Sequence, residues 1–309
     1  MQRERGVAAA FPQTLGRSQA FAFASLVIGA IAMGASPVFV RLADVGPYAS
    51  AFWRTFLALP FLWVWASFEA AGETRRCFDR PIIFAGLFFA GDLFFWHLAI
   101  LGTTVANATF LATTAPVWVA VFAWLLMGEA SGARMIGGLV LCLIGGTALV
   151  GQSYGFAPQR LWGDIFGLIT AVFFGLYMLA VRAGRRHHGP GRLIFLSTAI
   201  TAACLFVVAI ALEPRLLPQS AQGVATLAAL ALISQVAGQG CVAFALGTLP
   251  ATFSSLVIFL EAIAAAAFGW LVLGEALAAV QWLGGFLILI GIWTARPRGV
   301  ATDMGKTTP

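Results

Sequence analysis

Long apolar segments recur along this chain and constrain its fold more than any other feature. Ten of them, each 18 to 25 residues long, cover residues 20–41, 47–68, 81–101, 103–127, 134–151, 162–182, 191–212, 223–246, 249–273 and 279–296. A helix needs roughly 20 apolar residues to cross a hydrocarbon layer about 30 Å thick. Strands of a membrane barrel instead alternate apolar and polar positions over about 10 residues. The sequence therefore predicts an all-α integral membrane protein with ten transmembrane helices.

Composition excludes several other classes of protein. Of the 309 residues, 61% are apolar and only 10% are charged. A soluble domain usually has about 25% charged residues, so this chain has too few charges to cover a surface that faces water. An ordinary soluble enzyme, a disordered protein and a nucleic-acid-binding module are excluded on this ground. The lipid bilayer is the expected environment, and nucleic acid is not an expected partner.

The positions of the basic residues predict the orientation of the chain in the membrane. If the N-terminus is cytoplasmic, the cytoplasmic segments carry 14 Arg and Lys residues, whereas the opposite loops carry only Arg41, Arg160 and Arg215. Cytoplasmic loops of membrane proteins carry such an excess of positive charge. We therefore expect a multi-pass protein of the bacterial inner membrane with both termini in the cytoplasm.

The two halves of the chain resemble each other. Gly128-Glu129-Ala130 closes the fourth segment and Gly274-Glu275-Ala276 closes the ninth, 146 residues later. In the segment that follows each motif, Gly138 and Gly145 match Gly284 and Gly291 at the same offset. Each half has five spans, and because five is odd, the second copy must be inverted relative to the first. Inverted repeats are typical of alternating-access transporters, although a purely structural duplication is the alternative.

The repeats divide the chain into five parts. These are a cytoplasmic N-terminal tail (1–19), a first five-helix repeat (20–151), a linker (152–161), a second five-helix repeat (162–297) and a cytoplasmic C-terminal tail (298–309).

Specific motifs carry a resemblance to a known family. The stretches Gly34-Ala35-Ser36-Pro37-Val38-Phe39-Val40-Arg41 and Ala51-Phe52-Trp53-Arg54-Thr55-Phe56 lie in the first two segments. Together with the Gly-Glu closures and the spaced glycines, they resemble the EamA-type branch of the drug/metabolite transporter superfamily over about residues 20–297. Within that branch the chain is most similar to bacterial exporters of aromatic amino acids. The resemblance implies export of aromatic and neutral amino acids and related small metabolites.

Three charged residues lie well away from the ends of the predicted spans. They are Arg54, Asp92 and Glu261. Charges inside a bilayer are costly and usually mark ion or substrate pathways or proton relays. We expect them to form an ion pair or to couple transport to protons. For Asp92 the alternative is an ion pair with Arg54 that only fixes helix packing, and for Glu261 it is a neutral, hydrogen-bonded packing acid.

Other polar and aromatic side chains inside the spans are candidates for the lining of a cavity. Helix spacing places several on shared faces, such as Asn107, Thr114 and Trp118 in the fourth segment and Gln235 and Gln239 in the eighth. The expected substrate-binding residues are Trp96, His97, Asn107, Thr114, Trp118, Tyr177, Gln235, Gln239 and Ser254. The alternative for the glutamines and threonines is hydrogen bonding between or within helices.

These patterns predict a transporter with no catalytic, metal or cofactor site. The sequence has no Walker loop and no metal-ligand or nucleophile motif, so neither an enzyme nor ATP-driven transport is expected. Two alternatives stay open, export of nucleobases, nucleosides or cationic drugs and a membrane receptor or assembly subunit that moves nothing. Whether a proton gradient drives transport, or solute only runs down its own gradient, also stays open.

Overall fold

The structure, a computed structural model, describes residues 11–69, 78–103, 108, 111–128, 130–150, 158–274 and 277–296. Nearly all of this part of the chain is helical, and no strand occurs within it. The helices are α1 (Phe11–Gly34), α2 (Ser36–Leu42), α3 (Pro47–Glu69), α4 (Arg80–Gly102), α5 (Ala115–Met127), α6 (Ala133–Val150), α7 (Leu161–Gly184), α8 (Pro190–Leu212), α9 (Ala221–Ala229), a π-helical segment (Leu230–Gln239), α10 (Gly240–Leu246), α11 (Ala251–Val257), α12 (Phe259–Leu273) and α13 (Ala279–Ala295).

The helices have the length and composition of membrane spans. Within the described ranges, seven continuous stretches are long and apolar enough to cross a bilayer, and three shorter apolar helices, α5, α6 and α13, accompany them. Large apolar side chains point outward, among them Phe68, which is 83% exposed, and Trp293, which is 73% exposed. Such a surface is stable against lipid and not against water. The prediction of a helical membrane protein is confirmed, and its ten helical segments agree with this architecture.

Three of the predicted spans break near their middle or end. The first divides into α1 and α2 after Gly34, and Pro37 lies in the first turn of α2, where its missing N–H costs nothing. Thr113 and Thr114 form a turn immediately before α5. The ninth span divides at Ile258 into α11 and α12. Thr113 and Ile258 are separated by the repeat offset of 145 residues, so the two halves break at equivalent positions.

The eighth span contains a π-helical segment from Leu230 to Gln239. A π-helix has a wider turn than an α-helix and is frequently found at functional sites. Gln235 and Gln239 both lie in this segment and are both 1% exposed. The segment therefore presents two buried amides to the interior of the bundle.

Glycines bring α6 and α13 into close contact. A Cβ on Gly138 would lie 2.5 Å from the carbonyl oxygen of Gly291, and a Cβ on Gly145 would lie 2.6 Å from that of Gly284. Any side chain at these positions would clash with the backbone of the facing helix. The contacts run in opposite directions along the two helices, so α6 and α13 are antiparallel.

A left-handed residue ends an equivalent helix in each half. Gly128 follows α5 with φ of 68°, and Gly274 follows α12 with φ of 69°. Residues with a Cβ rarely adopt this conformation, which explains why glycine stands in both Gly-Glu motifs.

Polar contacts fasten the two ends of the bundle. At one end the Asp44 carboxylate accepts hydrogen bonds from the backbone N–H groups of Gln219 (3.0 Å) and Ser220 (2.8 Å) and from the Ser220 hydroxyl (2.7 Å). The hydrogen bond from the Ser220 hydroxyl lowers the pKa of Asp44 below its usual value. At the other end His188 Nε2 lies 2.8 Å from Asp79 Oδ2. Each contact joins segments from different halves of the chain.

Candidate functional site

A cavity of about 110 Å³ lies among the helices of both halves. One water molecule needs roughly 10–15 Å³ on the same measure, so the cavity is large enough for a small solute. Its wall combines charged, polar and aromatic side chains. The lining residues are Met33, Ser36, Pro37, Arg54, Phe89, Asp92, Leu93, Trp96, Ala112, Thr113, Ala115, Pro116, Thr170, Phe174, Gln239, Ser255, Ile258, Phe259, Glu261, Ala262 and Ala265.

The broken helices meet at this cavity. Ser36 and Pro37 begin α2, Ala115 and Pro116 begin α5, and Ile258 and Phe259 mark the join between α11 and α12. Interrupted helices free backbone groups from the regular hydrogen-bond pattern. In membrane proteins such backbone occurs where it lines a cavity or is buried in protein.

Arg54 is the cation of the cavity and is 7% exposed. Its Nε donates to Gln235 Oε1 at 3.1 Å, and its Nη1 donates to Ser36 Oγ at 3.3 Å. Gln235 in turn donates through Nε2 to Thr198 Oγ1 at 3.2 Å. The guanidinium also lies over the ring of Phe89, 5.8 Å from its centre. These contacts hold the charge at the cavity wall, and the two hydrogen bonds use two of the five N–H donors of the guanidinium.

Two carboxylates face the same cavity. Asp92 is 8% exposed, and Glu261 is partly buried in the first turn of α12. Both carry a charge opposite to that of Arg54, which lines the same cavity. Within the described part of the chain, the hydrogen bonds of Arg54 go to Gln235 and Ser36 and not to a carboxylate. The three groups therefore share one chamber without a direct ion pair.

Gln239 has a fixed orientation at the wall. The hydroxyl of Tyr177, which is 2% exposed, donates to Gln239 Oε1 at 2.9 Å. A buried hydroxyl needs an acceptor, and this oxygen supplies it. The Nε2 of Gln239 is consequently left to donate toward the cavity.

Aromatic rings form much of the remaining wall. Phe89 stacks on Tyr177 with ring centres 4.7 Å apart, and Phe174 lies 5.9 Å from Tyr177. Trp96 and Phe259 line the cavity from α4 and α12. The wall is thus apolar over most of its area, with a few polar groups between the rings, as is usual in small-molecule sites.

The structure brings five of the predicted site residues together at the cavity. They are Arg54, Asp92, Trp96, Gln239 and Glu261. Gln235 and Tyr177 lie behind the wall and contact Arg54 and Gln239, respectively. Asn107 lies outside the described residues.

The other predicted residues do not line this cavity. His97 is 2% exposed, its Nδ1 donates to the carbonyl of Leu93, and its ring packs on Tyr48. Thr114 bonds the carbonyl of Leu111 at 2.7 Å, which is the backbone alternative considered above. Trp118 stacks on Phe122, and Ser254 is fully buried.

Sequence reasoning missed several lining residues. Ser36, Thr170 and Ser255 contribute hydroxyl groups, and Phe89 and Phe174 contribute rings. The adjacent Pro37 could have indicated Ser36, because a proline interrupts the helix there and an interrupted helix in a membrane protein often lines a cavity. The break at Ile258 lies between the two adjacent serines and Glu261, so regular helical spacing did not predict that Ser255 lines the cavity with Glu261.

No group of three or more His, Cys, Asp or Glu side chains is placed to hold a metal ion among the described residues. The polar groups of the cavity are suited instead to hydrogen bonding and to charge recognition.

Comparison with known proteins identifies the family. The model of the EamA-like transporter family matches residues 20–151 and 161–295. The chain belongs to this family. It is therefore a multi-pass membrane protein of a transporter family.

Relatives of the transporter include proteins from archaea and bacteria. It is 27% identical over 285 residues to an uncharacterized transporter of Archaeoglobus fulgidus, which covers 90% of this chain and 97% of that protein. It is 24% identical over 195 residues to the pseudopaline exporter CntI of Pseudomonas aeruginosa, covering 63% of this chain and 67% of that one. A solved crystal structure shares the fold, with a TM-score of 0.76 at 17% identity, over 91% of this chain and 96% of the other.

Proposed function

We propose that this transporter exports aromatic and neutral amino acids and related small metabolites across the bacterial inner membrane. Substrate binds in the central cavity, which opens alternately to the two sides. The observation that carries the proposal is a cavity with aromatic walls that holds one buried guanidinium and two carboxylates.

The chemistry of the wall supports an amino acid as cargo. A neutral amino acid carries one positive and one negative group beside a side chain that is often apolar. Arg54 and the pair Asp92 and Glu261 offer charges of both signs, and Phe89 and Phe174 offer flat apolar surface. Aromatic rings give large contact areas with modest geometric demands. Such a site accommodates side chains of different shape.

The crossed glycine contacts support two inverted repeats. By sequence offset, Gly138 is equivalent to Gly284 and Gly145 to Gly291. The contacts pair Gly138 with Gly291 and Gly145 with Gly284. This exchange is what a two-fold relation produces, since each partner presents the same patch to the other. Because α6 and α13 are antiparallel, the axis of that relation is perpendicular to the helices and lies in the membrane plane.

Equivalent contacts elsewhere follow the same rule. A Cβ on Gly34 of the first half would meet the carbonyl oxygen of Glu261 in the second, and a Cβ on Gly175 of the second half would meet the carbonyl oxygen of Ala115 in the first, 146 residues before Glu261. Two halves that exchange shapes give inward-open and outward-open states of similar energy, which is the basis of alternating access.

The direction and location of transport rest on charge and on a relative. The excess of basic residues places both termini in the cytoplasm of the proposed topology. CntI of Pseudomonas aeruginosa is named as an exporter, which favours outward transport by this chain also.

Glu261 is the proposed coupling group. It follows the break at Ile258 and faces the cavity, where access to water from either side would change with the open state. A carboxyl that exchanges a proton at such a position links solute flux to the pH gradient. Glu261→Gln should abolish stimulation by a pH gradient and leave gradient-free exchange intact; an unchanged gradient response would remove Glu261 as the proton carrier.

A substrate panel in proteoliposomes tests the function. Purified full-length protein is reconstituted, and uptake of labelled phenylalanine, tryptophan and leucine is compared with uptake of adenine, adenosine and a lipophilic cation. Saturable amino-acid uptake above that of empty vesicles is expected. Trp293→Phe, which changes only the lipid-facing surface, serves as the matched control and should transport normally.

Cationic drugs are the second candidate, because the cavity holds two carboxylates and one guanidinium. Preferential uptake of the lipophilic cation would favour them. A receptor that moves nothing predicts that no compound of the panel crosses faster than in empty vesicles.

A further inference from the structure

Asp92 presents a buried carboxylate to the cavity, beside the less buried carboxylate of Glu261. The guanidinium of Arg54 donates its hydrogen bonds to Gln235 and Ser36. Among the described residues, the Asp92 carboxylate has no hydrogen-bond donor; the hydroxyl of Thr170, 3.4 Å away, donates to the backbone carbonyl of Asp92 instead.

This arrangement has an energetic consequence. Asp92 is 8% exposed and lies in the midst of a membrane span. An ionised carboxylate so placed is stable only if a cation or hydrogen-bond donors meet it. The carboxylate lines the cavity, so the missing donor can arrive from the cavity side. The free space in front of Asp92 is therefore suited to a positively charged part of a ligand.

The neighbours of Asp92 on α4 suit an ammonium group in particular. Phe89 precedes it by three residues and Trp96 follows it by four, which places all three on one face of the helix. All three line the cavity. Aromatic faces attract cations, and the attraction is stronger in a site shielded from water. Because the Phe89 ring already contacts Arg54 and Tyr177, a small ammonium group can contact the Asp92 carboxylate and the Trp96 ring together.

Gln239 supplies the complementary group on the eighth span. Gln239 lines the cavity, and because its Oε1 accepts from the Tyr177 hydroxyl, its Nε2 is the amide atom available to donate to a ligand. An amide N–H is a good partner for a carboxylate oxygen. The cavity wall thus offers an acceptor at Asp92 and a donor at Gln239.

We infer that Asp92 binds the ammonium group of the substrate and that Gln239, positioned by Tyr177, donates to the substrate carboxylate. This inference rests on the proposed function and narrows it to zwitterionic amino acids whose amine is obligatory. Asp92 and Gln239 touch the substrate, whereas Tyr177 acts through Gln239.

Calorimetric binding to the purified full-length protein in detergent tests the assignment. Three related probes are used: phenylalanine, phenethylamine, which lacks the carboxylate, and 3-phenylpropionate, which lacks the amine. The wild-type protein should bind phenylalanine most tightly and 3-phenylpropionate most weakly. Tighter or equal binding of 3-phenylpropionate compared with phenethylamine would overturn the assignment of Asp92, and this comparison needs no variant.

Variants then separate the two ends of the ligand. Asp92→Asn should weaken phenylalanine and phenethylamine by about tenfold or more and leave 3-phenylpropionate unchanged. Tyr177→Phe should weaken phenylalanine several-fold but not phenethylamine, a selectivity that a general loss of packing would not produce. Asp164→Asn, which changes another buried acid that does not line the cavity, should leave all three affinities unchanged.

The outcomes distinguish this inference from the proposed function. If Asp92→Asn binds phenethylamine as tightly as the wild type, the inference fails even where liposomes transport amino acids. If the binding pattern holds but liposomes transport no amino acid, the proposed function fails and the assignment of the ammonium site stands.

Discussion

Gly138 lies so close to Gly291 that the two helices that carry them touch through their backbones, whereas the adjacent Gly137 faces open space. The two neighbouring glycines of α6 therefore differ in their surroundings: a Cβ at 138 would contact α13, and a Cβ at 137 would contact nothing. This difference provides a test of the interface between the halves of the chain.

Gly138→Ala should destabilise the protein and Gly137→Ala should not. The new methyl group at 138 must displace the α13 backbone, and overpacking of this kind costs about 1–3 kcal/mol. At 137 nothing lies within 4 Å of the added Cβ, and replacing a helical glycine by alanine gains roughly 0.5–1 kcal/mol. Thermal unfolding in detergent measures both. Equal melting temperatures for the two variants would contradict the close approach of α6 and α13.

The hydrogen bonds to Asp44 predict that the stability of the folded protein depends on pH. Hydrogen bonds from Ser220 and Gln219 favour its ionised form and lower its pKa in the folded protein. A group with a lowered folded pKa contributes stability above its unfolded pKa, near 4, and that contribution is lost as pH falls through the folded pKa. Asp44→Asn should therefore lower the melting temperature at pH 7, and the difference from wild type should shrink below pH 4.

Ser220→Ala provides the matched variant for this contact. It removes the shortest hydrogen bond to Asp44, 2.7 Å, so it should weaken the same pH dependence. Ser220→Ala also removes the hydrogen bond that Ser220 Oγ accepts from the N–H of Gly223 at 2.9 Å, but the bond to Asp44 is common to both changes, so the double variant should cost less than the two single changes together. Parallel melting curves for wild type and Asp44→Asn between pH 7 and pH 3 would refute the role of Asp44.

The charges around Arg54 predict that a second substitution restores stability lost when Arg54 is replaced. Arg54→Met removes the cation that faces both Asp92 and Glu261 and leaves two like charges in one buried chamber. Removing one partner of a buried charged cluster costs about 3–5 kcal/mol. Adding Glu261→Gln should restore a substantial part of the loss, because one of the two uncompensated charges disappears. A double-mutant cycle on melting temperature measures this coupling, and strict additivity would argue against it.

The topology can be read by labelling single cysteines. Ala130 and Ala278 are both exposed and follow the equivalent Gly-Glu closures of the two halves. In a background without the native cysteines, a membrane-impermeant reagent added outside cells should label Ala278→Cys and leave Ala130→Cys unmodified until the membrane is opened. Labelling of both positions from the same side would exclude inverted repeats.

Much of the architecture could be predicted because the bilayer imposes it. Every backbone group inside the membrane must be bonded internally, so long apolar segments can only be helices, and their number follows from their length. The match of Gly138 and Gly145 to Gly284 and Gly291 predicted two related halves before any helix was placed. The match could not predict that these glycines pack against one another, because an antiparallel pairing depends on the arrangement of all the helices.

The cavity was predicted less completely, for a physical reason. A charged residue inside a span, such as Asp92 or Glu261, predicts a functional site because a charge in the bilayer costs free energy and is usually present for a function. Threonine and histidine are less informative, since both can bond their own helix, as Thr114 and His97 do. Helical periodicity also assumes a constant turn, and the breaks before α5 and at Ile258 change which side chains share a face.

The widened turn between Leu230 and Gln239 has a consequence for how this span tolerates change. Gln235, in the middle of this segment, accepts a hydrogen bond from Arg54, and Gln239, at its end, accepts one from Tyr177. Deleting a single residue there would leave a span still long enough to cross the bilayer but would rotate one amide away from its neighbour. In the eighth span we therefore expect single-residue insertions and deletions to be tolerated poorly, because each would break one of these two hydrogen bonds.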